Sequence, residues 1–335
     1  MFESAKLYSE QRLEESFDAY VLLSEPLNYT LADLADVLSE TCGSVAEWQS
    51  FKDVESSGEI RATVDRETTR VSVSFSEAAL PVDHFEPCVQ RATAFPGAKA
   101  ALQAHQAHVL ISAHSGATDL LSRFETARVI NCVSAMFARS QSCTAIIFSS
   151  GDVIAEPGPW QDAMHTAMQD EWPIDSWISF DIQSFEPEID WGKPAVMCSS
   201  IGLAAFNGHE VTLAATSLAP FEAAQQVFGT INLLLDDDYG LSDGGTIAIE
   251  GSDDPLRVRF AEEGHLGVHT NTWVVFHPNA TVHENDLFAP TLSVPAPFAI
   301  DRLVQPYPGF FSTLLERGLR SRRSLKALMP WYFGS

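Results

Sequence analysis

The stretch best equipped for chemistry is "LLLDDDYGLSDGGTIAIEG", residues 233–251, which sets Asp236, Asp237, Asp238 and Asp243 and the pair Gly244-Gly245 between two apolar runs. Clustered carboxylates suit calcium, but an EF-hand loop needs acids at its positions 1, 3 and 5, glycine at 6 and glutamate at 12. Counted from Asp236, position 5 is Gly240, position 6 is Leu241 and position 12 is Ile247. A phosphate-binding loop needs Gly-Lys-Ser/Thr at the start of a helix. Here the glycines lead into the strand-like "TIAIE" with no lysine, and acids repel phosphate. The stretch therefore reads as a helix end with Gly240 just past it, then a turn at Asp243-Gly244 into a strand. Three acids at a helix C-terminus oppose its dipole. Water or a basic partner offsets that, so Asp236, Asp237, Asp238 and Asp243 are candidate partner-binding residues.

Histidines offer the next chemistry. On a strand, His108 and His114 would stand roughly 20 Å apart, at about 3.3 Å per residue, too far to share a metal. His105 and His108 could meet, but two ligands are too few for zinc. His265, His269, His277 and His283 lie closer in sequence, with Glu284 and Asp286 beside them. Folded back, that group could support a metal-assisted hydrolase, although no spacing in it matches a helical metal motif. "SAHSGATD" brings His114, Ser115 and Asp119 together at a strand end, but a triad is set by geometry and not by adjacency. No GxSxG elbow occurs. No catalytic, metal or cofactor residue is assigned.

The five cysteines, Cys42, Cys88, Cys132, Cys143 and Cys198, are odd in number, scattered and without a CxxC pair. They read as free thiols in a reducing compartment. The opening "MFESAKLYSEQRLEES" lacks the apolar core of a secretion signal, and no apolar run is long enough to span a membrane. A cytoplasmic location is expected.

The 335 residues carry 45 acids against 20 basic groups, a formal charge of −25, which disfavours nucleic acid and anionic lipid. It favours a cationic partner. From Asp301 onward six basic residues face two acids, so the tail is +4 and residues 1–300 carry −29. That tail supplies Arg320, Arg322 and Arg323 with Trp331, Tyr332 and Phe333, residue types that anchor interfaces. It packs on its own domain, docks on a partner surface or lies on an anionic membrane.

Which elements position these groups? "AYVLLSEPLNYTLADLADVLSE" reads as strand, turn and helix, with Thr30 as cap and Leu31, Leu34, Ala35 and Leu38 on one face. "EIRATVDRETTRVSVSFSEAAL" reads as two strands around a turn at Arg66 to Thr69. A short helix at "PGAKAALQAHQA", a strand at "HVLISAH", a long amphipathic helix at "ATDLLSRFETARVINCVSAMFARSQ" and a strand at "CTAIIFSS" follow, then a helix around Gln161 to Met168. The second half reads as a strand at "DSWISFDIQSF", a hairpin with its tight turn at Asn207-Gly208, a helix begun by Pro220, and strands at "GGTIAIEG", "LRVRFAEE" and "TWVVFHP". Strand, Pro-bearing turn, helix and two strands occur at 19–75 and again at 209–260. These are two related lobes or common vocabulary repeated by chance. The fold class is α+β, with mixed, largely antiparallel sheets and packed helices. The expected divisions are an N-terminal extension at 1–17, lobes at 18–171 and 172–280, and a Pro-rich linker with a basic, aromatic tail at 281–335.

"HQAHVLISAHSG", "IGLAAFNGHEVTL" and "LSDGGTIAIEG" together resemble, in order, segments of the bacterial domain-of-unknown-function family 4261, over roughly residues 18–278. Gly202, Phe206, Gly208 and Glu210 approximate that family's Gly-x-x-x-Phe-Gly-x-x-Glu segment, with the Phe-Gly spacing one residue longer. Leu241, Asp243, Gly244, Thr246 and Ile247 match its Leu-x-Asp-Gly-x-Thr-Ile turn. The resemblance implies an accessory protein near secretion and toxin–immunity loci. Two readings stand: a non-enzymatic protein that binds a basic toxin or a type VI secretion component, and a hydrolase using His265 to His283.

Overall fold

The computed structural model describes residues 17–278 and 280, except 28–30, 55–56, 65–66, 93, 115–118, 170, 186–194, 236–240, 250–254, 262–270 and 279. The described chain divides into two compact units, 17–179 and 180–280. Both are α+β.

The first unit is built on one antiparallel sheet of β1 (Phe17–Leu23), β2 (Glu47–Val54), β3 (Ser57–Val64), β4 (Glu67–Ser76), β5 (Ala107–His114), β6 (Cys143–Phe148) and β7 (Val153–Ala155), in the order β2-β3-β4-β5-β1-β6-β7. The register places Val21 beside Val109 and Ile146, and Ala19 beside Ile111 and Phe148. One face is therefore a continuous apolar sheet. Phe75 on that face meets Phe137 of α4 (Leu120–Ala138) edge-on, and Phe148 lies against Trp160 of α5 (Pro157–Ala167). Leu34 and Leu38 of α1 (Leu31–Cys42) are also fully buried. The opposite face buries Leu22, Ala145 and Ile147 under α2 (Glu86–Arg91) and α3 (Ala98–Ala104), through Phe85, Cys88 and Leu102.

Helix α4 departs from the amphipathic expectation. It is buried at Arg123, Phe124 and every position from Thr126 to Ala138. The sheet lies beneath it and α1 and α5 flank it, so no face is left for water. Two of its hydroxyls find partners: Thr126 Oγ1 donates to Ser122 O, and Ser134 Oγ donates to Ile130 O while accepting from Trp160 Nε1. The expected turn at Arg66 to Thr69 is shorter at its far side. Thr68 and Thr69 are already in β4, paired with Thr63 and Ala62.

The second unit carries β8 (Ser179–Phe185, whose first residue falls in the first unit), β9 (Ala195–Ile201), β10 (Glu210–Thr216), β11 (Thr246–Ile247), β12 (Leu256–Ala261) and β13 (Thr272–Phe276), ordered β11-β12-β13-β10-β9-β8. Beside them lie the one-turn α6 (Ala204–Asn207) and α7 (Pro220–Leu234), which packs on β9 and β10. Pro220 opens α7, and Glu222 reaches back to accept the Ala219 N–H at 3.1 Å. The strands β9 and β10 pair as expected, but Asn207-Gly208 is not a two-residue turn. The chain makes a helical turn, and Gly208 closes it at φ 84° with its N–H on Ala204 O at 2.9 Å.

Both units follow one path: strand, helix, meander, return beside the first strand. In the first, the four strands β2 to β5 bring β5 back antiparallel to β1. In the second, the three strands β11 to β13 bring β13 back parallel to β10. Each antiparallel step reverses direction, so an even or odd count fixes the sense of the closing pair.

Candidate functional site

The most developed polar cluster is in the second unit. Glu210, at the start of β10, is 8 % exposed. Its carboxylate accepts from Ser200 Oγ at 2.5 Å, Gly202 N at 2.8 Å and Ala204 N at 3.2 Å. Ser200 Oγ in turn accepts from Val211 N at 2.9 Å, and next to it Ser199 and Thr212 share a hydroxyl–hydroxyl bond of 2.8 Å across the β9–β10 pair. Gly202 takes φ 100°, open to glycine but rare for other residues, and Phe206 is driven into the core. A carboxylate here collects the backbone donors of a tight helical turn as charge-assisted hydrogen bonds. Ser200 is fully buried and its oxygen is engaged on both sides, so it has the character of a strut rather than a nucleophile. Gly202, Phe206, Gly208 and Glu210, singled out in the sequence, are thus brought together as one turn-and-anchor device.

The aspartate-rich stretch is described at residues 233–235 and 241–249. Asp243 Oδ1 accepts from Arg259 Nε at 2.8 Å and from Phe260 N at 2.9 Å, tying the turn to β12. The Phe260 N–H, then the Arg259 guanidinium, hold its carboxyl below the usual range. Gly244 sits at φ 76° and donates to Val258 O. Asp236, Asp237 and Asp238 lie outside the described residues, as do Arg320, Arg322, Arg323, Trp331, Tyr332 and Phe333.

Each described histidine of the first unit has a local place. His105 accepts from Leu80 N through Nε2 and donates through Nδ1 to Leu102 O, while His108 donates to Ala78 O at 2.8 Å. Together they pin the segment before α2 to the sheet. His114 sits exposed at the end of β5 beside Arg70, which pairs across to Arg61. Asp119 caps α4, accepting from Ser122 N at 3.0 Å and Ser122 Oγ at 2.7 Å, and the Ser122 donors lower its pKa. Ser115, His265, His269, His283, Glu284 and Asp286 lie outside the described residues, and His277 is buried. Among the described residues no three His, Cys, Asp or Glu side chains are placed to hold a metal. None of the described helices is long and apolar enough to cross a membrane.

A buried ion pair completes the inventory. Arg128 of α4 pairs with Glu125 at 2.5 Å and lies 5.7 Å from the centre of the Trp172 ring. Phe124 stacks on the same indole at 5.0 Å. This knot is filled by its own side chains and serves packing.

Two features escaped the sequence reading. Asp33, Asp36 and Glu40 occupy one exposed side of α1, opposite the buried Leu34 and Leu38. Their i, i+3, i+7 spacing was a readable signal. The approach of Cys42 Sγ to Met164 Sδ, 4.0 Å, joins residues far apart in the chain, and nothing local announces it. Comparison with protein-family models, curated proteins and solved structures finds no match for this chain.

Proposed function

We propose that this chain is a non-enzymatic, cytoplasmic binding protein that captures a basic protein partner, in the immunity-like or secretion-accessory role implied by its family resemblance. The observation that carries the reading is the outward side of α1. It shows Asp33, Asp36 and Glu40 to solvent with no lysine or arginine in the helix, and the exposed Glu47 continues the acidic surface into β2. On a chain of net charge −25, such an acidic helix side attracts cations at long range. A complementary partner gains association rate and specificity from it.

The test is kinetic. Protein captured from native lysate and identified by mass should be basic, and its association should slow steeply as salt shortens the screening length from about 10 Å at 0.1 M to about 3 Å at 1 M. An association rate flat across that range contradicts electrostatic capture.

A further inference from the structure

The sheet of the first unit carries a row of cations on its open face. Strand alternation buries Ala62, Val71 and Ala113 on the side of α4 and turns Arg61, Arg70 and His114 the other way. The register sets these three on neighbouring strands, Arg61 across from Arg70 and Arg70 across from His114. Arg70 and His114 are exposed, and the Arg61 side chain is 37 % exposed. Glu59 Oε1 accepts from Arg61 Nε at 3.3 Å, whereas among the described side chains no carboxylate pairs with Arg70 or His114. The next row is Glu59, Ser72, Ser112 and Asp18, with hydroxyls in the middle and acids at the two ends. Helices α2 and α3 cover this face over β1, β6 and β7, and Arg70, Ser72 and His114 stay open to water. Like charges directly opposite each other destabilise a sheet, so the Arg61–Arg70 pair carries a cost that an anion laid across it offsets.

The anion that fits is on the chain itself. Neighbouring strands lie about 4.8 Å apart, so the three residues stand at about 0, 5 and 10 Å along a line across the sheet. On α1, at about 1.5 Å per residue, Asp33, Asp36 and Glu40 stand at about 0, 4.5 and 10.5 Å and all face water. Helix α1 packs on the α4 side of the sheet, so it cannot reach the row of its own chain. We propose that a second copy of this chain lays the acidic side of its α1 across the row of Arg61, Arg70 and His114, carboxylates facing guanidinium and imidazole N–H groups. The two surfaces differ, so each bound copy still presents one of them, and the contact builds open chains rather than a closed pair. The net charge of −25 opposes self-contact at long range. A screening length of about 8 Å at 0.15 M suppresses that repulsion, while ion pairs within about 4 Å persist. The contact uses the side of α1 assigned above to partner capture, yet it needs no partner.

Sedimentation of the purified full chain over a concentration series tests this. Average mass should climb with concentration near 0.15 M salt, and less so both at about 0.01 M, where the screening length is about 30 Å, and at about 1 M, where it is about 3 Å. A monomer throughout at 0.15 M, or association that rises steadily up to 1 M, overturns the proposal. Arg61→Glu with Arg70→Glu in one chain, and Asp33→Lys, Asp36→Lys and Glu40→Lys in another, should each weaken self-association roughly tenfold or more. An equal mixture of the two should restore it, because the reversed helix of one fits the reversed row of the other. A variant that associates like the native chain, or a mixture no better than its components, contradicts the contact. Should a reversed chain fail to fold, Arg70→Gln decides in its place, by weakened association or by association unchanged. A native chain that captures a basic protein yet stays monomeric sinks this inference and leaves the proposed function standing.

Discussion

The two units share an order of strand, helix, meander and returning strand, and hold it with different material. In the first, the pairs across β1, β5 and β6 are Val21 with Val109 and Ile146, and Ala19 with Ile111 and Phe148, all fully buried hydrocarbon. In the second, the corresponding β9–β10 pair buries Ser199, Ser200, Glu210, Thr212 and Thr216. Apolar burial is proportional to area and tolerates small shifts. A buried polar set stabilises only while every donor and acceptor is matched. The first unit should therefore yield gradually to core substitutions, and the second abruptly to loss of one acceptor.

The largest effect is expected at Glu210. Glu210→Ala strands the donors of Ser200, Gly202 and Ala204 in the interior and should cost about 4 kcal/mol by denaturant unfolding. Glu210→Gln should recover only part, because its amide N–H₂ turns a donor towards donors. In the first unit Ile111→Ala should cost about 3 kcal/mol, the range for truncating a buried branched side chain. If Glu210→Ala proves milder than Ile111→Ala, the contrast between the units fails.

A close approach in the second unit sharpens the comparison. A Cβ added at Gly229 of α7 would stand 2.2 Å from Ile249 Cγ2. Gly229→Ala should therefore destabilise by about 1–2 kcal/mol despite alanine's better helix propensity. Pairing it with Ile249→Ala should leave less damage than the two single costs summed, which a double-mutant cycle measures.

Much of the fold was legible. Leu34 and Leu38 on the face of α1, Pro220 at the start of α7, and the pairing of β11 with β12 all follow from local period and punctuation. The failures have physical reasons. Strand β2 was missed because its period is broken by a bulge between Ser50 and Lys52. Asn207-Gly208 carries a strong hairpin signal, but Glu210 two residues later gathers the donors of the preceding turn and makes a helical turn the better solution. The burial of α4 depends on α1 and α5 closing over it, which no window along α4 contains. His105 and His108 are too few to hold a metal, and the backbone groups they do bind, at Leu80, Leu102 and Ala78, are not marked by composition.

Mild acid should separate the units further. Burial depresses the pKa of His209, whose ring meets Phe260 edge-on at 5.1 Å. A histidine with a lowered folded pKa contributes stability above its unfolded value of 6.5, and that contribution is lost as pH falls below it. Thermal unfolding of the native chain should therefore lose stability as pH falls below about 6.5 relative to a His209→Phe variant. An identical pH profile for both would remove His209 as the cause.

The smallest effect is expected at the cap of α4. Asp119→Ala should cost about 1 kcal/mol. Its depressed carboxyl pKa means that the native cap is lost only as pH falls through the folded value, below about 4. Above that range the cost should not vary with pH.

The central functional claim is that the first unit's acidic helix, and not the aspartate triplet between the second unit's α7 and β11, captures the partner. Two charge-reversed chains test it, one with Asp33, Asp36 and Glu40 changed to lysine and one with Asp236, Asp237 and Asp238 changed to lysine. Both are compared with the native chain for association with the partner identified by capture at low salt. The account expects the α1 reversal to slow association at least tenfold and to flatten its salt dependence, with the triplet reversal within about threefold of native. Fast, salt-dependent association retained by the α1 reversal and lost by the triplet reversal would contradict it.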